Sequence, residues 1–155
     1  MTRLMFFLHI LGFTYWLGGG FAQMMISIAA KKEDRPSLGT VARLQAAIAR
    51  GVVGPGAGLV IATGIILTFR SYPTTGEMSA PSVWLMVMQG TGLLGAVLVL
   101  TILVPSALRL GRMDPQGQYA ATFDALRARQ KVVGMISATL GVLALVGGVM
   151  LRFPG

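Results

Sequence analysis

The sequence has a single histidine, His9, and it is the side chain best suited to carry chemistry. It lies between Leu8 and Ile10 in the stretch FFLHILGFTYWLGGGFAQ, residues 6 to 23, and no charged residue occurs from residue 4 to residue 30. In apolar surroundings of this kind, histidine serves as an axial ligand of haem or chlorin, or as one ligand of copper. It can equally form a hydrogen bond inside a helical bundle, or act as a proton shuttle or pH sensor. The residue types leave these alternatives open.

Few other polar groups accompany His9. Besides hydroxyl groups, the apolar segments contain Gln23 and Gln89, and no Asp, Glu, Lys or Arg lies in their interiors. Acid–base catalysis, nucleophilic catalysis and proton-coupled transport all rely on pairs or chains of such groups. We therefore expect no catalytic residue and favour a function without catalysis. His9 and Gln89 fall at similar distances from their helix ends, so we expect His9 to bond either to Gln89 or to a hydroxyl group.

A cofactor at His9 would need a second ligand. A thioether at the same level could come from Met86, Met88 or Met150, and Gln89 could hold the imidazole in one tautomer. A haem with two histidine ligands is excluded within one chain. The sequence has no cysteine, which excludes thiolate nucleophiles, iron–sulfur clusters and cysteine zinc sites. The candidate cofactor-binding residues are therefore His9, Met88 and Gln89, with His9 as the candidate metal ligand, and the sequence makes no cofactor certain.

Four long apolar segments must hold these side chains. Of the 155 residues, 54% are hydrophobic and 12% are charged, against about 25% charged in a soluble domain. About 20 helical residues cross the hydrocarbon core of a bilayer, and the segments long enough to do so are residues 4–30, 51–69, 83–108 and 132–151. Each must be helical, because the bilayer offers its backbone no water. We predict an all-α, polytopic membrane protein with a four-transmembrane-helix bundle, forming one domain over residues 1–155.

The basic residues predict the orientation. Ten of the thirteen Lys and Arg residues lie in segments 31–50 and 109–131, and the others are Arg3, Arg70 and Arg152. The positive-inside rule places both segments in the cytoplasm and both termini outside, in a multi-pass protein of the bacterial inner membrane. The formal net charge of +8 suits the lipid bilayer with its anionic headgroups, and we expect no nucleic acid partner because no separate basic domain exists. The first span loosely fits a cleaved signal peptide, but its removal would leave an odd number of spans.

Both cytoplasmic segments carry helical patterns that run into the following span. Ser37 is placed to cap one such extension, and Asp114 followed by Pro115 is typical of the start of the other. We predict continuous helical cytoplasmic extensions, the alternative being amphipathic helices that lie on the membrane surface. Gly51, Gly54 and Pro55 predict a kink where the second helix enters the membrane.

Small residues four positions apart predict where the helices pack closely, since membrane helices associate by close backbone approach. These pairs are Gly18 and Ala22, Gly54 and Gly58, Gly92 and Ala96, Gly134 and Ala138, and Ala144 and Gly148. Glycine-rich faces also suit packing against other membrane proteins or a second copy. We therefore interpret the chain as an integral membrane accessory or assembly subunit. The alternative is a membrane redox protein that binds haem, chlorin or copper through His9.

The stretch LHILGFTYWLGG, residues 8 to 19, resembles the first-helix signature of the HemJ/CopD-like superfamily of small four-helix membrane proteins. The shared elements are Leu8 and His9, Trp16, and the pair Gly18 and Gly19, followed by a basic loop and a glycine-rich second helix. The resemblance implies a four-helix fold in which the histidine matching His9 serves haem or metal. HemJ-type oxidases are expected to carry a lysine after a tryptophan of the third helix, where this chain has Met88 and Gln89. The chain is therefore most similar to uncharacterised members of the superfamily.

Overall fold

The computed structural model describes residues 2–71 and 82–152, and the side chains at the two helix ends, residues 71 and 152, are left aside. Helix α1 is Thr2–Ala29. Helix α2 consists of Ser37–Ile48, a π-helical turn Ala49–Val53, and Gly54–Ser71. Helix α3 consists of Val83–Leu98, a π-helical turn Val99–Leu103, and Val104–Leu110. A 3₁₀ turn, Gly117–Tyr119, leads into helix α4, Ala120–Arg152. The described residues contain no strand.

All four helices are long and apolar enough to cross a membrane. The continuous apolar helices are Thr2–Ala29, Ser37–Arg70, Val83–Leu110 and Gly117–Leu151. This confirms the all-helical class and the four candidate spans. It also confirms that segments 37–50 and 120–131 continue into the helices that follow them, because no break separates them from the apolar part.

The predicted helix starts are displaced by a few residues. Pro36, not Ser37, is the N-cap residue of α2, and the Ser37 hydroxyl instead donates to the carboxylate of Asp34. Asp114 lies before the 3₁₀ turn, where its Oδ1 accepts a hydrogen bond of 2.9 Å from the backbone N–H of Gln116. Both carboxylates therefore stabilise the turns that precede the helices, because short polar side chains bond readily to nearby backbone and hydroxyl groups.

Where the sequence predicts a kink, the structure has the π-helical turn Ala49–Val53, just before Pro55. A second π-helical turn, Val99–Leu103, stands in the same position relative to Pro105. Proline lacks an N–H, and its ring collides with the carbonyl group four residues earlier, so a wider turn relieves both defects. The residues that follow the two turns approach each other, and a methyl group placed on Gly54 would be 3.3 Å from Cγ2 of Val104.

The helices form two antiparallel pairs, α1 with α2 and α3 with α4. The pairs meet around a core built from all four helices: Phe13, Trp16, Leu17, Val53, Ala57, Val60, Ala96, Val99 and Ala144. The outward surface is also apolar, with Phe6, Met25 and Phe69 more than half exposed. Large exposed apolar surfaces are rare on water-soluble monomers. The fold therefore has the features of a multi-pass membrane protein.

Candidate functional site around His9

His9 lies on α1 and contacts α2 through one hydrogen bond and one glycine. Its Nδ1 atom is 2.9 Å from Oγ1 of Thr63, a residue with only 3% of its surface exposed. The imidazole also lies over Gly64, where an added methyl group would be 3.2 Å from Cε1 of His9. The sequence Thr63-Gly64 thus supplies a hydroxyl partner and the space that the ring occupies.

The hydrogen bonds of Thr63 determine which ring nitrogen of His9 carries the proton. The Thr63 hydroxyl has one hydrogen, and its Oγ1 is 2.5 Å from the carbonyl oxygen of Leu59 one turn earlier. The hydroxyl therefore donates to that carbonyl and accepts from Nδ1–H of His9. In this neutral tautomer the lone pair of Nε2 is directed away from Thr63.

Gln89 does not pair with His9, so of the two expected partners the structure has the hydroxyl group. Nε2 of Gln89 donates a 2.8 Å hydrogen bond to Oγ1 of Thr68, which lies five residues beyond Thr63 on α2. Two threonines of one helix thus receive the polar side chains of α1 and α3. The sequence could not single them out, because hydroxyl groups recur throughout the apolar segments, and most of them bond to their own helix.

An aromatic series leads from His9 into the core. The rings of His9 and Phe13 meet edge to face at 5.3 Å, and those of Phe13 and Trp16 stack at 5.5 Å. Trp16 is 2% exposed, and its Nε1–H donates to Oγ of Ser137, which in turn donates to the carbonyl oxygen of Gly95; both distances are 3.3 Å. One side chain of α1 is thereby tied to α4 and α3.

Met88 and His9 pack against different helices. Met88 packs against α4, with its backbone N–H next to Gly147 and its Sδ 3.3 Å from a methyl group placed on Gly148. His9, by contrast, packs against α2. Met86 and Met150 are largely exposed, at 58% and 41%. The described residues contain no group of three or more His, Asp or Glu side chains that could hold a metal ion.

A second polar cluster lies at the opposite end of α1. The side chain of Gln45, 7% exposed, donates from Nε2 to the carbonyl oxygen of Gln23 and to Oγ of Ser27, at 3.1 and 2.7 Å. Gln23, expected as a polar side chain within the bundle, thus contributes its backbone carbonyl to this cluster. The sequence did not indicate Gln45 as a candidate, because this residue belongs to the extension of α2 rather than to the apolar segment.

The small residues divide into those that pack inside the chain and those that do not. Gly92, Ala96 and Ala144 meet between α3 and α4, and Gly54 meets α3, as expected. A methyl group placed on Gly134 would make only an ordinary contact, 3.8 Å from Cδ2 of Leu103, and Ala138 is half-buried. The expected packing of Gly18 and Gly58 is wrong within this chain, because a methyl group on either would meet nothing within 4 Å.

A close contact between α1 and α2 uses other glycines. A methyl group placed on Gly56 would lie 2.6 Å from the backbone nitrogen of Trp16 and 2.8 Å from the carbonyl oxygen of Gly12. Gly19 likewise lies against Val53. The face of α1 that carries Gly12, Trp16 and Gly19 is therefore the packed one, and Gly18 and Ala22 are exposed on another face.

Comparison of the chain with models of protein families, with curated proteins and with solved structures found no match.

Proposed function

We propose that this chain is an accessory or assembly subunit of the bacterial inner membrane, without catalytic activity of its own, that packs against another membrane helix. The observation that carries the proposal is the exposed groove formed by Gly18 and Ala22 on α1. Both residues are exposed, and a methyl group on Gly18 would meet no atom of the chain within 4 Å. A small-xxx-small pattern on a free helix face suits the close approach of a second helix.

Thr14 extends this groove by one turn. It is exposed, and its hydroxyl donates a 3.0 Å hydrogen bond to the carbonyl oxygen of Ile10, so the groove presents a methyl group there rather than an unpaired polar group. Thr14, Gly18 and Ala22 are spaced four apart, and they run along the same face of α1. The larger exposed side chains Tyr15, Phe21 and Met25 lie beside them and would border an incoming helix.

The charge distribution supports the proposed orientation. The α1–α2 and α3–α4 connections, with the extensions that follow them, carry ten of the thirteen Lys and Arg residues. They would therefore face the cytoplasm, with both termini outside.

Mild-detergent purification from the native membrane tests the proposal. We expect Gly18→Ile to release co-purifying membrane subunits, or a second copy of the chain, because the branched side chain fills the groove. Gly90→Ile is the matched control, since Gly90 on α3 is also exposed and also free of neighbours within 4 Å. Equal recovery of partners with wild type and both variants would contradict the proposal, as would equal loss with both variants.

A second candidate function, a membrane redox subunit that binds haem or a chlorin, is favoured by the tautomer of His9. Nε2 is the ring atom left to act as ligand, and the Nδ1–H···Thr63 bond is of the kind that orients ligating histidines. The fit is partial, because His9 offers one axial ligand and Met88 packs elsewhere. Copper fits less well, since one imidazole is a sparse donor set. This candidate accords with the proposed likeness to the HemJ/CopD-like superfamily.

A visible absorption spectrum of the gently purified protein separates the two candidates. Near-stoichiometric haem, lost on His9→Gln, would favour the redox subunit, because no other histidine can replace the ligand. A colourless preparation that retains its partner subunits would favour the accessory subunit.

A further inference from the structure

Two adjoining cavities lie at the end of the bundle where α3 ends and α2 and α4 begin. Their volumes are about 390 and 480 Å³. Arg43 of α2 lines the first, Arg109 and Tyr119 line the second, and Arg112 and Asp114 line both. We refer to the two cavities together as the depression; three arginines and one aspartate are among its lining residues.

The walls of this depression are fixed by close backbone packing. Gly111 lies against α2, where an added methyl group would be 2.9 Å from Cβ of Ala46. Gly39 lies against Pro115, where the corresponding distance to Cδ is 3.3 Å. Larger residues at either glycine would separate α2 from the loop after α3. The fold thus sets the backbone positions of Arg43 and Arg112, which line the depression.

Arg35 fastens the same loop from its other side. Its guanidinium donates to the carbonyl oxygen of Pro115 at 2.9 Å and to that of Ala120 at 3.3 Å, and it pairs with Asp124 at 2.8 Å. This is the sole ion pair among the residues that the structure describes. Arg35 and Asp124 are consequently engaged with each other, so Asp124 forms no ion pair with the arginines of the depression.

The charge inside the depression remains positive. Asp114 has one carboxylate oxygen occupied by the backbone N–H of Gln116, and Arg43 donates to the hydroxyl of Thr40 at 2.8 Å. The side chains of Arg109 and Arg112 form no hydrogen bond and no ion pair within residues 2–71 and 82–152. One guanidinium group can donate two parallel hydrogen bonds to two oxygens of a phosphate. A lysine ammonium does not provide this geometry.

We propose that this depression binds the phosphate group of an anionic phospholipid. The inference depends on the membrane placement given under the proposed function. The depression lies at the ends of membrane-length helices, and the exposed side chains further along α3 and α4 are apolar, as at Leu100 and Met135. A molecule with a phosphate headgroup and acyl chains matches both surfaces, whereas free phosphate matches only the first. Basic pockets between helices on the cytoplasmic side are typical sites for such headgroups.

Native mass spectrometry of the isolated chain, released from nanodiscs of phosphatidylcholine with a minority of phosphatidylglycerol, tests the proposal. We expect wild type to retain phosphatidylglycerol, and the double variant Arg43→Gln, Arg112→Gln to retain about tenfold less. The matched control is Arg129→Gln, Lys131→Gln, which removes the same charge from exposed positions outside the depression. Equal loss of phosphatidylglycerol in both double variants would indicate diffuse electrostatic attraction and overturn the site. Retention of phosphatidylglycerol by both double variants would also overturn it.

Two further measurements complete the test. Arg112→Lys keeps the charge and the fold but loses the paired hydrogen bonds, so we expect an intermediate loss of lipid even if the double variant folds poorly. Addition of inorganic phosphate or glycerol 3-phosphate should leave the bound phosphatidylglycerol in place, and its displacement would assign the depression to a soluble phosphate compound instead. The isolated chain suffices for these experiments, so their failure is separate from a failure of the Gly18 experiment.

Discussion

The Nδ1 atom of His9 and the Oγ1 atom of Thr63 are 2.9 Å apart across the interface between α1 and α2. Because the Thr63 hydroxyl also donates to its own helix, this pair is directional, with His9 as donor. The relationship fixes the orientation of the imidazole and links α1 to α2 near the start of α1. The contribution of this hydrogen bond to the free energy of unfolding can therefore be measured without knowledge of any ligand.

A double-mutant cycle with His9→Leu and Thr63→Val measures this bond. We expect a coupling free energy of about 0.6–2 kcal/mol, the range for interhelical hydrogen bonds in membrane proteins. The measurement is unfolding of the purified protein in mixed micelles by a denaturing detergent. Thr68→Val, which removes the partner of Gln89 instead, serves as control and should show no coupling to His9→Leu. Additive losses for His9 and Thr63 would show that the bond contributes nothing to stability.

Substitution of Gly56 should be far more damaging than substitution of Gly58, two residues away. An alanine at position 56 would place its methyl group against the backbone of Trp16 and Gly12, which cannot move aside as a flexible side chain could. We expect Gly56→Ala to lower the free energy of unfolding by about 3 kcal/mol. Gly58→Ala should be neutral, or stabilising by up to about 1 kcal/mol through helix propensity. Similar losses at both positions would contradict the packing of α1 on α2.

Replacement of Trp16 should separate its hydrogen bond from its packing. Trp16→Phe keeps most of the apolar contact but removes the donor to Ser137, so we expect a loss of about 1 kcal/mol. Trp16→Ala also leaves a cavity between the two helix pairs, and we expect about 3–5 kcal/mol. Thermal unfolding followed by circular dichroism provides the comparison. If the two variants were equally stable, Trp16 would not be the side chain that joins the pairs.

We expect cysteine labelling to place the start of α3 and the start of α4 on opposite sides of the membrane. Ser82 precedes α3 and Gln118 precedes α4, and both are exposed. In a chain without other cysteines, Ser82→Cys should react with a membrane-impermeant maleimide added from the periplasm. Gln118→Cys should react only after the membrane is opened, because it lies in a segment rich in Lys and Arg. The reverse pattern, or labelling of both from the periplasm, would overturn the proposed orientation.

The sequence by itself determined the helical class, the number of candidate spans and their continuous extensions. Long uncharged segments allow little else, since backbone groups without water partners must bond within a helix. It also offered, as one of the alternatives for His9, a hydrogen bond to Gln89 or to a hydroxyl group, because an unpaired imidazole in apolar surroundings is costly. Gly51, Gly54 and Pro55 predicted a departure from regular α-helix in the form of a kink, and the structure has a π-helical turn there.

The tertiary structure alone decided which faces pack and which hydroxyl group His9 meets. Gly18 and Gly56 are both glycines in apolar helices, and only the rotation of α1 about its axis places Gly56 against the backbone of Trp16 and leaves Gly18 exposed. The choice of Thr63 over Gln89 depends on the pairing of α1 with α2 rather than with α3. A nearly uniform apolar helix carries too weak a periodicity to encode that rotation, so the fit of side chains between helices determines it.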